Sequence, residues 1–326
     1  MQGTLEPHKH LFTFNSELTM KKFLYSVLMF VVPAYILLAI CDYFYSQKAQ
    51  KSNLYHIENW YDLMHGNIDA DIIVMGNSRA FVQVSPLILD SVLGKSSYNI
   101  AIDGSSINRQ IRKYNIFRKY NRKPKLIIQN IDHITLIYFT GYEKEQFFPY
   151  FWDKNIQKEF VATEPFSAWE KRMPMYRYLR NLDRYELWWL MTKTAHQLTK
   201  GYQGKDKQWD GSEFHKIDTV NYAANDESLK MFDNYLAQAK AEGIQVLFVH
   251  TPIYIGLTRK LDHPKEMFEQ YQYFADKYDI PILDYRFMDI CYDTTYFYNA
   301  MHVNRIGAEI FSDSLANDIK RMGLLP

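Results

Sequence analysis

Asp-Ile-Ile-Val-Met-Gly-Asn-Ser-Arg, residues 71–79, decides the reading of this chain. Five residues, four of them β-branched or long apolar, end abruptly at Gly76, as a buried parallel strand does. The glycine permits a tight turn. Ser78 then opens the next segment, where backbone N–H groups and a helix dipole favour developing negative charge. A serine so placed is either a helix cap or a nucleophile, and this stretch alone does not choose between them.

Outward from that turn the pattern alternates. Ser85-Pro86 followed by Leu-Ile-Leu-Asp-Ser-Val-Leu-Gly94 combines an N-cap, a proline at the first helical position and a terminating glycine. Tyr98–Ile102 reads as a second strand ending at Asp103-Gly104, residues 105–120 as a helix, and Pro124–Gln129 as a third strand. After a break, helix 226–242, strand Gln245–Val249, helix 264–278, strand Pro281–Asp284 and helix 304–322 restore the rhythm. Five strands alternating with helices predict an α/β fold: a doubly wound parallel sheet in a three-layer sandwich, with its site at the carboxyl ends of the strands. Between them, 135–222 contains Phe147–Trp152, Leu187–Met191 and Trp209 without that rhythm, and is expected to be a helical, aromatic-rich insertion.

Before the sheet, Phe23–Cys41 holds nineteen residues without a charge. As a helix it would span roughly 28 Å, close to the hydrocarbon thickness of a bilayer. Lys21 and Lys22 before an apolar run also suit a cleaved signal peptide, but the run is long for one and no A-x-A-like site follows. Residues 23–41 are therefore expected to be a single-pass transmembrane anchor, 1–22 a cytoplasmic tail, 42–70 a connector, and 71–326 an α/β domain. Lys9, Lys21 and Lys22 before the span, against Lys48 and Lys51 after it, favour a cytoplasmic N-terminus and a periplasmic or otherwise extracytoplasmic main domain.

Composition excludes some partners. The 38 basic and 37 acidic residues leave a net charge of +1, which disfavours nucleic acid as a partner. Two cysteines, one inside the apolar run, argue against a structural disulfide and against zinc sites built on cysteine pairs. No metal-ligand spacing appears, and no cofactor is expected. Aromatics make up 16% of the chain, a surplus that suits core packing, sugar stacking or a membrane interface.

Near the C-terminus, Tyr298-Asn-Ala-Met-His302-Val-Asn-Arg-Ile-Gly-Ala308 precedes the last predicted helix, which places His302 on the same sheet rim as Ser78. Taken together, Gly76-Asn77-Ser78, Gly104 and His302-Val-Asn-Arg-Ile-Gly-Ala308 resemble the SGNH (GDSL-type) hydrolase superfamily, in its membrane-anchored acyl-esterase and acyl-transfer branch. The resemblance covers about 70–135 and 225–322. It implies Ser78 as nucleophile, His302 as its base, and backbone N–H groups of Ser78 and Gly104 in the oxyanion hole. It also implies a cell-envelope glycan or acylated small molecule as substrate, and a membrane-bound O-acyltransferase as partner.

Two departures stand out. The resemblance calls for aspartate three residues before the histidine, where this chain has Asn299. An asparagine oxygen can accept from the imidazole Nδ1–H, but the amide turned over would select the wrong tautomer. A working enzyme would then use a Ser–His dyad, a backbone carbonyl, or another carboxylate such as Asp293. The third block reads Gln129-Asn130-Ile131-Asp132-His133, so Asn130 is the candidate oxyanion amide, while strict alignment puts Asp132 there. Asn77, Arg79, Asp132 and His250 are expected to line the pocket, Arg79 facing an anionic substrate group or a carboxylate such as Asp103; His250-Thr251-Pro252 reads more readily still as a structural turn at the end of its strand. The competing reading is a non-catalytic glycan-binding or scaffold module of an envelope complex.

Overall fold

The computed structural model of the protein describes residues 9–137, 143–192, 198–212, 214–216, 224–261 and 264–325. The predicted tail lies partly outside these, as do parts of the insertion.

Five parallel strands form the sheet: β1 (Ile72–Met75), β2 (Ser97–Asn99), β3 (Leu126–Asn130), β4 (Gln245–His250) and β5 (Ile282–Asp284), in the order β2-β1-β3-β4-β5. β2 is shorter than its apolar run. Yet Ile100 N still donates to Val74 O and Ile102 N to Gly76 O, so the pairing with β1 carries on past the strand's end.

Period-two alternation sends successive strand residues into two cores. Ile73, Met75, Ile127, Val246 and Phe248 face a layer of three helices, Ile107–Tyr120, Asp226–Ala241 and Pro264–Tyr278. Ile72, Val74, Ile128, Leu247 and Val249 face the helices Ser78–Gln83, Pro86–Leu93 and Arg305–Met322. This is the three-layer, doubly wound arrangement expected from the sequence. Because the chain leaves β1 toward β2 and later returns to β1's other side as β3, a topological switch point lies between β1 and β3.

A two-stranded antiparallel hairpin, β6 (Phe297–Asn299) and β7 (His302–Val303), precedes the last helix. Up to residue 192 the described parts of the insertion are short helical pieces, among them Tyr176–Asn181 and Arg184–Thr192. Residues 198–212 hold no helix and only an isolated antiparallel bridge between Thr199 and Tyr202, so the expected helical insertion is helical chiefly in its first part.

The stretch expected to be a connector differs. Helix α1 runs unbroken from Lys9 to Ala49, and its apolar part, from Thr19 onward, is long and apolar enough to cross a membrane. Beyond Cys41 it packs into the domain: Asp42 forms a buried ion pair with Arg177, and Ser46 hydrogen-bonds Tyr178 at 2.9 Å. Ile57, Trp60 and Leu63 then enter the first core. A buried carboxylate needs its guanidinium, so residues 42–64 belong to the folded domain.

Candidate active site

Gly76 leaves β1 with φ +155, and a Cβ there would stand 2.6 Å from Ala80 Cβ and 2.7 Å from Asn130 Cβ. Only glycine fits both the backbone and the space. Asn77 caps the following helix, its Oδ1 accepting from Arg79 N at 3.0 Å, and Ser78 is lifted half-buried onto the rim.

His302 reaches the same point from the β6–β7 hairpin. Its Nε2 lies 2.8 Å from Ser78 Oγ, and its Nδ1 lies 2.9 Å from Asn299 Oδ1. Asn299 Oδ1 also accepts the backbone N–H groups of Met301 at 2.9 Å and His302 at 3.0 Å. Two obligate donors on that atom fix the amide, since its NH2 could not replace the oxygen there. Nδ1 therefore carries the imidazole proton, and the Nε2 lone pair faces the serine hydroxyl. The amide orientation that would give the wrong tautomer is excluded by the hairpin's own backbone.

The electrostatics are less favourable to a cation. Burial and the Arg79 guanidinium, with Lys205 beyond, outweigh Asp132 and push the His302 pKa down to about 3. Tyr298 stacks on the imidazole at 5.3 Å between ring centres. Asp293 does not supply the missing carboxylate: it caps a short 3-10 turn, its Oδ1 accepting from Thr295 N at 2.9 Å.

Beneath the serine sits a closed polar hub. Asp132 Oδ1 accepts Ile134 N at 3.0 Å, Thr135 N at 3.0 Å and Thr135 Oγ1 at 2.9 Å. Its Oδ2 takes Asn77 Nδ2 at 2.7 Å and Asn130 Nδ2 at 3.1 Å, with Arg79 Nη1 at 3.5 Å. Burial pushes this carboxyl up, but Arg79, His133 and the amides hold it well below the usual range.

Three expectations change here. Asn130 spends its NH2 on Asp132 and on Asn77 Oδ1 at 3.4 Å, so it is not directed at an oxyanion. Asp132, Asn77 and His250 are fully buried and line no open pocket. Arg79, equally buried, faces neither substrate nor Asp103; it pairs with Asp132, donates to Thr251 O, and meets His250 Nδ1 at 3.3 Å. The charges that looked like pocket chemistry instead tie the β1, β3 and β4 termini together.

Gly104 has φ +61, and the turn it forms lies two residues past the Ile102–Gly76 bond, beside the serine loop. Two neighbours of the rim carried no sequence signal. Tyr55 and His56 have consecutive positive φ values of 53 and 57, and the His56 ring comes 3.9 Å from Asp103 and edge-on to Phe81. The insertion returns over the site as well: Lys200 O accepts Asn99 N, Gly201 lies too close to Asn99 O for any side chain, and Lys205 O accepts Arg305 N at 2.7 Å. No metal-binding cluster of His, Cys, Asp or Glu occurs among the described residues.

No family model matches the chain, and neither does any curated protein. Solved structures similar to it include a Bacteroides fragilis protein designated an acylhydrolase, at 12% identity and TM-score 0.40, covering 84% of this chain and 98% of that one. A GDSL-like lipase from Bacteroides thetaiotaomicron is similar at 12% identity and TM-score 0.38, covering 84% and 99%. A Streptococcus pneumoniae protein designated a platelet activating factor is similar at 9% identity and TM-score 0.40, covering 85% and 94%.

Proposed function

We propose that this chain is an SGNH-type serine ester hydrolase or O-acyltransferase, held outside the cytoplasm by helix α1 and acting on acyl groups of a cell-envelope glycan. The observation that carries the reading is the relay Ser78 Oγ–His302 Nε2 at 2.8 Å and His302 Nδ1–Asn299 Oδ1 at 2.9 Å, with the tautomer fixed. Ser78 Oγ attacks the acyl carbonyl while its proton passes to His302 Nε2. N–H groups of Ser78 and Gly104 hold the oxyanion. The acyl C–O bond then breaks, and His302 returns the proton to the departing alkoxide. Water or a sugar hydroxyl attacks the acyl-serine in turn, giving its proton to His302; the acyl–Oγ bond breaks, His302 returns that proton to Ser78 Oγ, and the acid or the new ester is released. The glycan and the acyltransferase partner rest on the resemblance of the Ser78, Gly104 and His302 blocks, and the extracytoplasmic setting on the lysines that flank the apolar span.

A second reading, a non-catalytic glycan-binding module, is favoured by one observation: among the described residues the partner of His302 Nδ1 is an amide and not a carboxylate, and the surroundings of the imidazole resist protonation. Fluorophosphonate labelling of the full chain separates the two. Covalent labelling that disappears in Ser78→Ala and His302→Ala supports the enzyme. A folded protein that retains glycan binding but never labels leaves the binding module.

A further inference from the structure

Helix α1 is clasped by the insertion low on its apolar stretch. Tyr35 Oη donates to Arg172 O at 2.9 Å, and Tyr45 Oη donates to Leu187 O at 2.7 Å. Tyr35, Ala39, Trp152 and Pro174 line one cavity between the helix and the insertion.

Helix geometry gives these contacts a depth. At about 1.5 Å per residue, Tyr35 stands about 18 Å along the axis from Phe23, the start of the uncharged run, and Tyr45 about 33 Å. A hydrocarbon core is about 30 Å thick. With α1 across a bilayer, Leu187 meets it at the headgroup level, and Arg172 sits below that level unless the helix shifts or the bilayer thins.

The surface at this level is suited to lipid. Trp152, Trp169, Tyr185 and Trp188 are between 49% and 65% exposed, with Leu179 at 62%. Exposed Lys171, Arg172, Arg180 and Arg184 stand among them, and Asp183 is the exposed acid between Ser167 and Thr192. Aromatic rings with basic side chains match an interface between acyl chains and anionic headgroups. The turn at 167–173 bonds its own backbone, Lys171 N to Ser167 O and Met173 N to Trp169 O, which lowers the cost of leaving water.

We propose that residues 152–192 form a foot seated in the lipid–water interface beside α1, with Trp169 on its deeper edge and Trp188 at headgroup level, so that the bilayer is this surface's partner. The foot and the clasp together hold the domain, and its serine rim, at one fixed orientation to the membrane. This rests on α1 crossing the bilayer and does not depend on the chemistry of Ser78.

The test uses the full chain in nanodiscs containing anionic lipid, in a Cys41→Ser background, since Cys291 is buried. Spin labels are placed at Trp169→Cys and Trp188→Cys, with Phe30→Cys as a lipid reference and Asp313→Cys as an aqueous one. Lys171→Cys replaces Trp169→Cys if that variant misfolds. The expected result is an oxygen-to-nickel-chelate accessibility ratio at 169 and 188 several-fold above that at 313, with 169 closer to the Phe30 value. Aqueous ratios at both positions with Phe30 in lipid overturn the foot and leave the face free for sugar stacking. An aqueous Phe30 overturns the spanning helix and the foot with it; fluorophosphonate labelling of Ser78 is read separately in every sample.

Discussion

Asn299 Oδ1 stands 2.9 Å from His302 Nδ1 while accepting two backbone N–H groups of its own hairpin. One atom thus orders the turn and sets the imidazole tautomer. It supplies the geometry of a triad without the negative charge.

That separation predicts the effect of restoring the charge. Asn299→Asp keeps an acceptor for all three donors and adds stabilisation of the imidazolium. We expect kcat/KM on an aryl acetate to rise about tenfold or more, given that loss of a triad aspartate costs up to about 10⁴. A large fall would show that the amide has a role beyond acceptance.

The pH profile should move with it. The neutral imidazole is the active base, and its pKa lies down at about 3, so the native protein should keep its activity as pH falls from 8 to about 5. Asn299→Asp raises the imidazole pKa, so an acid limb should enter that range and activity should fall there. Rate measurements from pH 4.5 to 9 on both proteins check this; a native limb near pH 7 would contradict it.

Asp132 and Arg79 are both fully buried, with 3.5 Å between Oδ2 and Nη1. Asp132→Ala strands the guanidinium and the five other donors that the carboxylate accepts. Breaking one side of a buried pair costs about 3–5 kcal/mol. Denaturant unfolding should show at least that loss, together with loss of serine labelling, because Asn77 is released from its neighbour.

Lys113 lies buried over the Trp60 ring, 4.9 Å from its centre, and burial pushes its pKa down from 10.5 to about 7. The folded state favours the neutral amine, whereas the unfolded chain takes the proton up near 10.5. Stability from this group therefore declines as pH falls from about 10 to about 7 and levels off below. Lys113→Met should gain on the order of 2–4 kcal/mol at pH 6 and much less at pH 10. Thermal unfolding at the two pH values decides it.

Much of the sheet was legible because local signals and tertiary structure agree. The apolar run ending at Gly76, the Pro86 start and Gly94 stop, and the helical periods at 226–242 and 304–322 all correspond to observed elements. The pairing of Ser78 with His302 followed from both segments lying at strand or helix ends on one rim. The roles of Asn77, Arg79, Asp132 and His250 were not legible, since a buried hub and a solvent-facing pocket use the same residue types. Direction of the side chain separates them, and direction depends on which strand termini converge.

The sequence by itself determined the α/β alternation, the apolar span and the spacing Asn299-x-x-His302, because periodicity, glycine and proline act over a few residues. Only the tertiary structure decided the amide orientation of Asn299, the pairing of Arg79 with Asp132, and the clasping of helix α1 by the insertion. Each depends on contacts between segments more than fifty residues apart or on backbone donors converging in a turn, and no local pattern encodes where such groups meet.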